Sequence, residues 1–340
     1  MQDDKTLDNA PFAGLTPDVI LNAIDATGLF TSGQLLALNS YENRVFQIGL
    51  DEPLAGGAQF VVAKFYRPER WSDAQILEEH AFVAELETAE VPAVPALVLR
   101  GATLHQFESF RYAVFVRRGG RAPELGDQSV REWLGRFIGR LHAVGVRSAY
   151  KARPALDAET FGREPSAYLL AHEWLPRDVR EVYRGVVAQA LDGVAACYQR
   201  AGAVASLRVH GDCHEGNVLW QDGLTARGPH FVDFDDSRMA PAIQDIWMLL
   251  SGDRAEMQDQ LADVIGGYED FAEFDRRELH LVEALRTLRL IHYSAWIARR
   301  WHDPAFPAAF PWFDTPRYWE ARILELREQI AAMQEPPLAV

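Results

Sequence analysis

The segment His210-Gly-Asp-Cys-His-Glu-Gly-Asn217, followed by Phe231-Val-Asp-Phe-Asp-Asp236, constrains this chain more than any other feature. An aspartate stands five residues before an asparagine, and an acidic cluster follows on an apolar run. Phosphoryl transfer needs this set: one carboxylate to orient the acceptor hydroxyl, and an amide oxygen and a further carboxylate to hold the cations that neutralise phosphate. Asp212 is the candidate base and catalytic residue. Asn217 and Asp233 are the candidate magnesium (Mg2+) ligands, with Asp235 and Asp236 as second choices for the same ion. A fold that supports this chemistry must bring a loop and a strand end to one nucleotide.

The rest of the chain supplies further parts. Lys64 ends the apolar run Phe60-Val-Val-Ala-Lys64, where an ammonium can reach the α and β phosphates of ATP. A lysine so placed needs a carboxylate. On the expected helix 72–89, Ile76, Glu79, Val83 and Leu86 share one face, and a glutamate within an apolar stripe needs a partner more than its neighbour Glu78 does. Glu79 is therefore the expected partner of Lys64. No glycine-rich loop stands between the first two strands. Asn39-Ser-Tyr-Glu-Asn-Arg-Val45 takes its place, and the Ser40 hydroxyl with nearby amides meets the same chemical need; a polar hairpin turn explains the segment equally well. The segment 112–118 offers backbone groups to an adenine edge.

A zinc reading of His210, Asp212, Cys213 and His214 leaves Lys64, Asn217 and the Asp233 cluster without a role. His210 reads better as a buried brace, and Cys213 as a packing residue. Asp245 opens the apolar stretch Pro241–Leu250 and is expected to accept hydrogen bonds from neighbouring loop backbone.

The chain has 340 residues, which suggests two lobes. Strands are expected at 34–38, 44–49, 59–66, 96–99, 112–116 and 230–234. Helices are expected at 17–27, 72–89, 129–145, 178–202, 257–272, 276–301 and 316–333. The fold class is α+β: a β-rich N-lobe over 1–116 that binds nucleotide, and a mostly helical C-lobe over 117–340. The net charge of -15 disfavours nucleic acid or an anionic membrane as partner. Two cysteines make no disulfide framework, and a cytoplasmic setting is the simpler reading.

The octapeptide and Phe231-Val-Asp233 resemble the aminoglycoside phosphotransferase and choline kinase superfamily, a branch of the protein-kinase-like bilobal fold. Asn39–Val45, Lys64-Phe-Tyr-Arg-Pro-Glu-Arg-Trp71, Ile76-Leu-Glu-Glu-His80 and Gln244-Asp-Ile-Trp247 narrow the resemblance to the bacterial stress response kinase A family. That resemblance implies an ATP-dependent serine/threonine protein kinase of the cytoplasm, a monomer, with a role in envelope or oxidative stress. It implies Asp212 as proton acceptor, Asn217 and Asp233 as magnesium ligands and Ser40 as an ATP contact. Autophosphorylation is expected. Gly211 stands where protein kinases usually carry arginine, and few residues separate Asp233 from Asp245, so no long activation loop is expected. Two other functions share the nucleotide residues: a small-molecule kinase for an aminoglycoside- or choline-like acceptor, and a nucleotide-binding pseudokinase adaptor. Glu269, Asp270, Glu273 and Asp275 read either as an acidic wall for a cationic substrate or as a solvated helix face.

Overall fold

Alternating apolar residues in the first third of the chain build a five-stranded antiparallel sheet. Its strands are β1 (Thr31–Leu38), β2 (Arg44–Leu50), β3 (Phe60–Phe65), β4 (His105–Phe107) and β5 (Phe110–Val116), in the order β1-β2-β3-β5-β4. The computed structural model describes residues 10–222 and 227–340. These form two compact units that no single cut in the chain separates. The first takes the described residues up to Ala122 together with Val218–Asp235; the second takes Pro123–Asn217 and Asp236–Val340.

In the first unit, helix α1 (Pro17–Asp25) starts where expected. The Thr16 hydroxyl caps it by accepting from the Val19 amide at 3.3 Å, and it buries Ile20, Ala23 and Ile24 among Ile48, Val61, Phe65 and Tyr112. Helix α2 (Asp73–Thr88) opens on a reciprocal cap between Ser72 and Gln75. Ile76, Glu79, Val83 and Leu86 are all buried, as the helical period predicts. The strand expected at 96–99 does not form. Pro95 stands just before the segment, and only isolated bridges form, Ala96 to Phe115 and Leu99 to Ala102, with the Leu97 amide donating to the Val114 carbonyl at 2.7 Å.

The second unit is mostly helical. Helix α3 (Gln128–Gly145) is followed by α4 (Glu164–Ala171), α5 (Arg177–Ala201), α6 (Ile243–Trp247), α7 (Arg254–Tyr268), α8 (Val282–Arg299), α9 (Ala305–Ala309) and α10 (Pro316–Ala332). The expected helix 276–301 begins as a 3-10 turn, Arg276–Leu281, before α8. Glycines let α3 and α7 touch backbone to backbone: a Cβ at Gly135 would lie 2.0 Å from the Val264 carbonyl oxygen, and one at Gly267 2.0 Å from that of Glu132. Tyr183, Phe306, Phe313 and Trp319 form an aromatic core with Ile291 between α5, α8 and α10. Burying each such ring stabilises the unit by about 2–3 kcal/mol. A short ladder of β6 (Leu207–Val209) with β9 (Arg238–Ala240) holds the two segments of motif-bearing chain together. Among the described residues, no helix is long and apolar enough to cross a membrane.

Candidate active site

The motif residues fall into two sets, one in each unit. In the first unit, β7 (Val218–Asp222) and β8 (Arg227–Phe231) form a hairpin, tied to the sheet unit by bridges from Phe231 to Ala93 and from Trp220 to Arg121. The apolar strand ends at Phe231, three residues short of the expected 230–234. The backbone then turns: Asp233 takes a left-handed conformation, φ 61°, and Phe234–Asp236 is a 3-10 turn. Aspartate tolerates this region better than most residues. The consequence is an aspartate held off the strand, its side chain 55% exposed.

Lys64, central in the sheet and opposite Val45 and Ala113, reaches this turn. Its ammonium lies 2.8 Å from Asp233 Oδ1 and 3.2 Å from Asp235 Oδ1. Burial by itself would lower the Lys64 pKa. The charges of Asp233, Asp235 and Glu79 outweigh it and hold the group well above its ordinary value. Glu79, expected as the partner, is buried on α2 and adds its charge to the field at Lys64.

Asp235 is committed to structure. It is buried, accepts from Asn43 Nδ2 at 3.1 Å and pairs with Arg70 as well as Lys64. Asp236 pairs with Arg238 at 2.9 Å. Both second choices for the metal are therefore occupied by cations, and Asp233 is the exposed carboxylate of the three. Asn43 and Arg70 were not singled out from the sequence, although both lie in the quoted segments. They organise the turn that replaces a glycine-rich loop: Asn43 Oδ1 accepts the Arg67 amide at 3.0 Å, Arg67 pairs with Glu42 at 2.9 Å, and the Ser40 hydroxyl donates to the Asn43 carbonyl at 3.1 Å.

In the second unit, the segment 210–217 runs from β6 into the 3-10 turn Glu215–Asn217. Asn217 Nδ2 donates to the Asp212 carbonyl at 2.9 Å and lies 3.4 Å from its carboxylate. The amide nitrogen is thereby fixed, and the amide oxygen takes no hydrogen bond among the described residues. Asp212 Oδ1 accepts from Arg289 Nη1 at 2.5 Å, and Oδ2 lies 3.5 Å from His214 Nε2. Burial pushes the Asp212 pKa up, but the His214 hydrogen bond and the Arg289 charge hold it below its ordinary value. Arg289, far along α8, carries no sequence signal for this role.

A buried frame supports the loop. Asp245 is fully buried on α6 and accepts the amides of His210 at 2.7 Å and Gly211 at 2.8 Å. His142 Nε2 donates to the same carboxylate at 3.0 Å, and its Nδ1 accepts from the Tyr268 hydroxyl at 3.1 Å. Gln244 Nε2 donates to the Gly211 carbonyl at 2.9 Å, and Trp247 Nε1 donates to Gln244 Oε1 at 3.1 Å. The bracing role expected of Asp245 is thus visible in its bonds. Gly211 has φ 88°, and a Cβ there would sit 2.1 Å from the Asp236 carbonyl oxygen, so no side chain fits.

The zinc alternative finds other uses for its donors. His210 is fully buried, with Nδ1 accepting the Asp212 amide at 3.3 Å. The Cys213 thiol is buried and its pKa is pushed well above the ordinary value by burial, then by Asp245 and Asp212. Among the described residues, no group of three or more His, Cys, Asp or Glu is arranged to hold a metal ion. The acidic wall is likewise neutralised at three of its positions: Glu269 pairs with Arg276, Asp270 with Arg136 and Asp275 with Arg277.

Residues 34–282 match the model of the phosphotransferase enzyme family. The chain is 42% identical over 332 residues to the serine/threonine protein kinase RdoA of Salmonella typhimurium, covering 97% of this chain and 98% of that one. It is 42% identical over 327 residues to stress response kinase A of Shigella flexneri, covering 96% of each. Among solved structures it resembles the amicoumacin kinase hAmiN, with TM-score 0.71 at 20% identity over 95% of this chain and 94% of that one. It also resembles a microcompartment-associated aminopropanol kinase, with TM-score 0.69 at 18% identity over 93% of this chain and 98% of that one. These structural likenesses establish the phosphotransferase fold expected from the sequence.

Proposed function

Because the chain belongs to the phosphotransferase enzyme family, and within it to the stress response kinase A group, we propose that it transfers the γ-phosphoryl group of ATP to serine and threonine hydroxyls of proteins. The observation that carries the chemistry is the Asp212–Asn217 turn, held rigid by Asp245, together with Lys64 joined to the exposed Asp233. The acceptor class rests on the names of the relatives at 42% identity.

Asp212 orients the acceptor hydroxyl and receives its proton as the bond to phosphorus forms. Lys64 binds the α and β phosphates, with Glu79 and the aspartates keeping it charged, and Ser40 contacts phosphate at the β1–β2 turn. The donor set fits magnesium. The exposed Asp233 carboxylate and the Asn217 amide oxygen, which takes no hydrogen bond among the described residues, are each hard oxygens of the kind magnesium prefers. Magnesium, when bound, supplies charge neutralisation of the phosphates. Two free, buried cysteines fit a reducing cytoplasm, and the reading carries with it a monomer active in stress survival.

The test is purified protein with labelled ATP and magnesium, offered a generic protein substrate and a panel of hydroxyl-bearing metabolites. Label in protein serine or threonine, absent in Asp212→Ala, supports the reading. Rapid label in a metabolite with none in protein refutes it in favour of a small-molecule kinase. No transfer to any acceptor, with nucleotide bound, moves the chain to the adaptor reading.

A further inference from the structure

Arg289 raises a question that phosphoryl transfer alone does not answer. A catalytic carboxylate that must hydrogen-bond a neutral hydroxyl here carries a guanidinium on Oδ1 at 2.5 Å. Nothing in the chemistry of the base requires a cation there, since Asn217 and His214 already orient Asp212. A guanidinium presents several N–H donors in a planar fork suited to carboxylates. One of them meets Asp212, and the side chain is 41% exposed. Its remaining donors make no other hydrogen bond or ion pair among the described residues.

The surroundings have the same character. Along α8, positions 289, 293 and 296 recur at helical spacing and share one half-buried face, and Arg300 follows as the C-cap. Tyr293 and Trp296 stack with ring centroids 5.7 Å apart, and the Arg300 guanidinium lies 5.4 Å from the Trp296 ring centroid. Both rings also pack on the core, Tyr293 on Phe310 and Trp296 on Phe306 and Phe310, so the group left to face an acceptor at the base is the Arg289 guanidinium, which suits an acidic flank better than a cationic one. A cationic acceptor such as an amino sugar or a quaternary amine would meet Arg289 as its first neighbour at the base. The acidic residues that could have offset this, Glu269, Asp270 and Asp275, are already paired with other arginines.

We propose that Arg289 determines acceptor specificity, selecting hydroxyls flanked by a carboxylate and rejecting those flanked by a positive charge. It does so by sharing its guanidinium between Asp212 and the flanking carboxylate. The inference rests on the protein-kinase reading and deepens it.

The test uses the full-length enzyme and serine peptides that differ only in the residue flanking the acceptor: Glu, Ala or Lys. Wild-type kcat/KM should favour Glu over Lys by about tenfold, most of it in KM, as expected for one charge contact near solvent. Arg289→Gln should bring that ratio close to one, Arg289→Lys should keep part of it, and Arg289→Glu should invert it. A structural role alone would lower all peptides equally in every variant. No flank preference in the wild type, or an unchanged ratio in Arg289→Gln and Arg289→Glu, overturns the inference while leaving the protein-kinase reading intact. Wild-type enzyme that labels a metabolite but no peptide or protein overturns the reading beneath it, and the inference with it.

Discussion

Asp245→Asn tests whether the catalytic turn is held by its frame or by its own sequence. The wild-type carboxylate has no exposed surface and accepts three hydrogen bonds: two backbone amides and the His142 imidazole. Asparagine keeps one acceptor oxygen and puts an NH2 group at the other position. In the cheaper orientation the oxygen keeps His210 and His142, and the NH2 group faces the Gly211 amide. One charge-assisted bond is then lost and two donors are buried against each other. Each unsatisfied buried donor costs about 1–3 kcal/mol, so the total for two is roughly 2–6 kcal/mol. That is below the stability of a typical domain, and the variant should fold with a melting temperature about 5–15 °C lower. Gly211 is bonded directly to Asp212, so the displaced amide should also move the base. A shift approaching 1 Å costs on the order of 100-fold in turnover, while KM for ATP should change by no more than about twofold. The assay is thermal melting with steady-state transfer to a protein substrate. A variant with wild-type melting and kcat within about twofold would refute the idea that Asp245 positions the base.

Four further outcomes are expected. Asp212→Ala should lower transfer by roughly 10²- to 10⁴-fold and leave ATP binding intact by isothermal titration; complete loss of nucleotide binding in a folded variant would reassign Asp212. Asp233→Ala should weaken magnesium-dependent nucleotide binding more than Asn217→Ala does, because a carboxylate brings full charge to the ion and an amide only a dipole; the reverse order in titrations would exchange their roles. Gly211→Ala should lower both melting temperature and kcat, since φ is positive and the Asp236 carbonyl occupies the site of the new methyl; unchanged values would show that the turn relaxes freely. Glu278 is buried and donates no bond but accepts the Ile243 amide at 2.8 Å, and burial raises its pKa to about 7. The folded state then holds a proton that the unfolded chain has released, so this group's contribution falls as pH rises from the ordinary carboxylate value through 7 and is constant above. Glu278→Gln should erase that pH dependence, and the difference in melting between wild type and variant, measured from pH 5 to 8, should grow with pH; a flat difference refutes it.

What could be read from the sequence followed a simple physical division. Local signals held: the helix from residue 17 starts after the Thr16 cap, the stripe Ile76, Glu79, Val83 and Leu86 is buried, and Asp245 accepts backbone amides of the neighbouring loop. Each signal lies in residues a few positions apart. Long-range pairings were out of reach. Arg289 meets Asp212 across 77 positions, and Asn43 meets Asp235 across 192, with no spacing rule to announce either. The surroundings of Lys64 divide in the same way. Periodicity reports that Glu79 is buried and near enough to add its charge at Lys64, but it carries no sign that Asp233 and Asp235 also pair with that ammonium, because this depends on the left-handed turn at Asp233. A strand assignment over 230–234 follows from the apolar residues and carries no sign of that turn.

The connection between the turn at Asp233 and α6 bears on how such an enzyme is controlled. In a switchable kinase this stretch holds a loop whose order depends on phosphorylation. Here each residue in the stretch after Asp236 has a fixed task. The Ser237 hydroxyl donates to the Val209 carbonyl at 2.6 Å and accepts from the Tyr150 hydroxyl at 2.7 Å, while Arg153 donates to the Ser237 carbonyl at 2.8 Å. Arg238, Met239 and Ala240 form β9, and the Met239 carbonyl accepts the Leu156 amide at 2.9 Å. Releasing this stretch would break all of these bonds at once, at a cost of several kcal/mol by ordinary hydrogen-bond values. Ser237 is the stretch's one hydroxyl, and it is fully buried, so it offers no site for a modifying enzyme. Gly211 completes the logic: the position that would hold an arginine to grip a loop phosphate is filled by the Asp236 carbonyl instead. The catalytic turn is therefore assembled by folding rather than by modification. On the proposed reading, control by phosphorylation of this stretch is disfavoured, and the amount of enzyme or the nucleotide supply is the simpler lever.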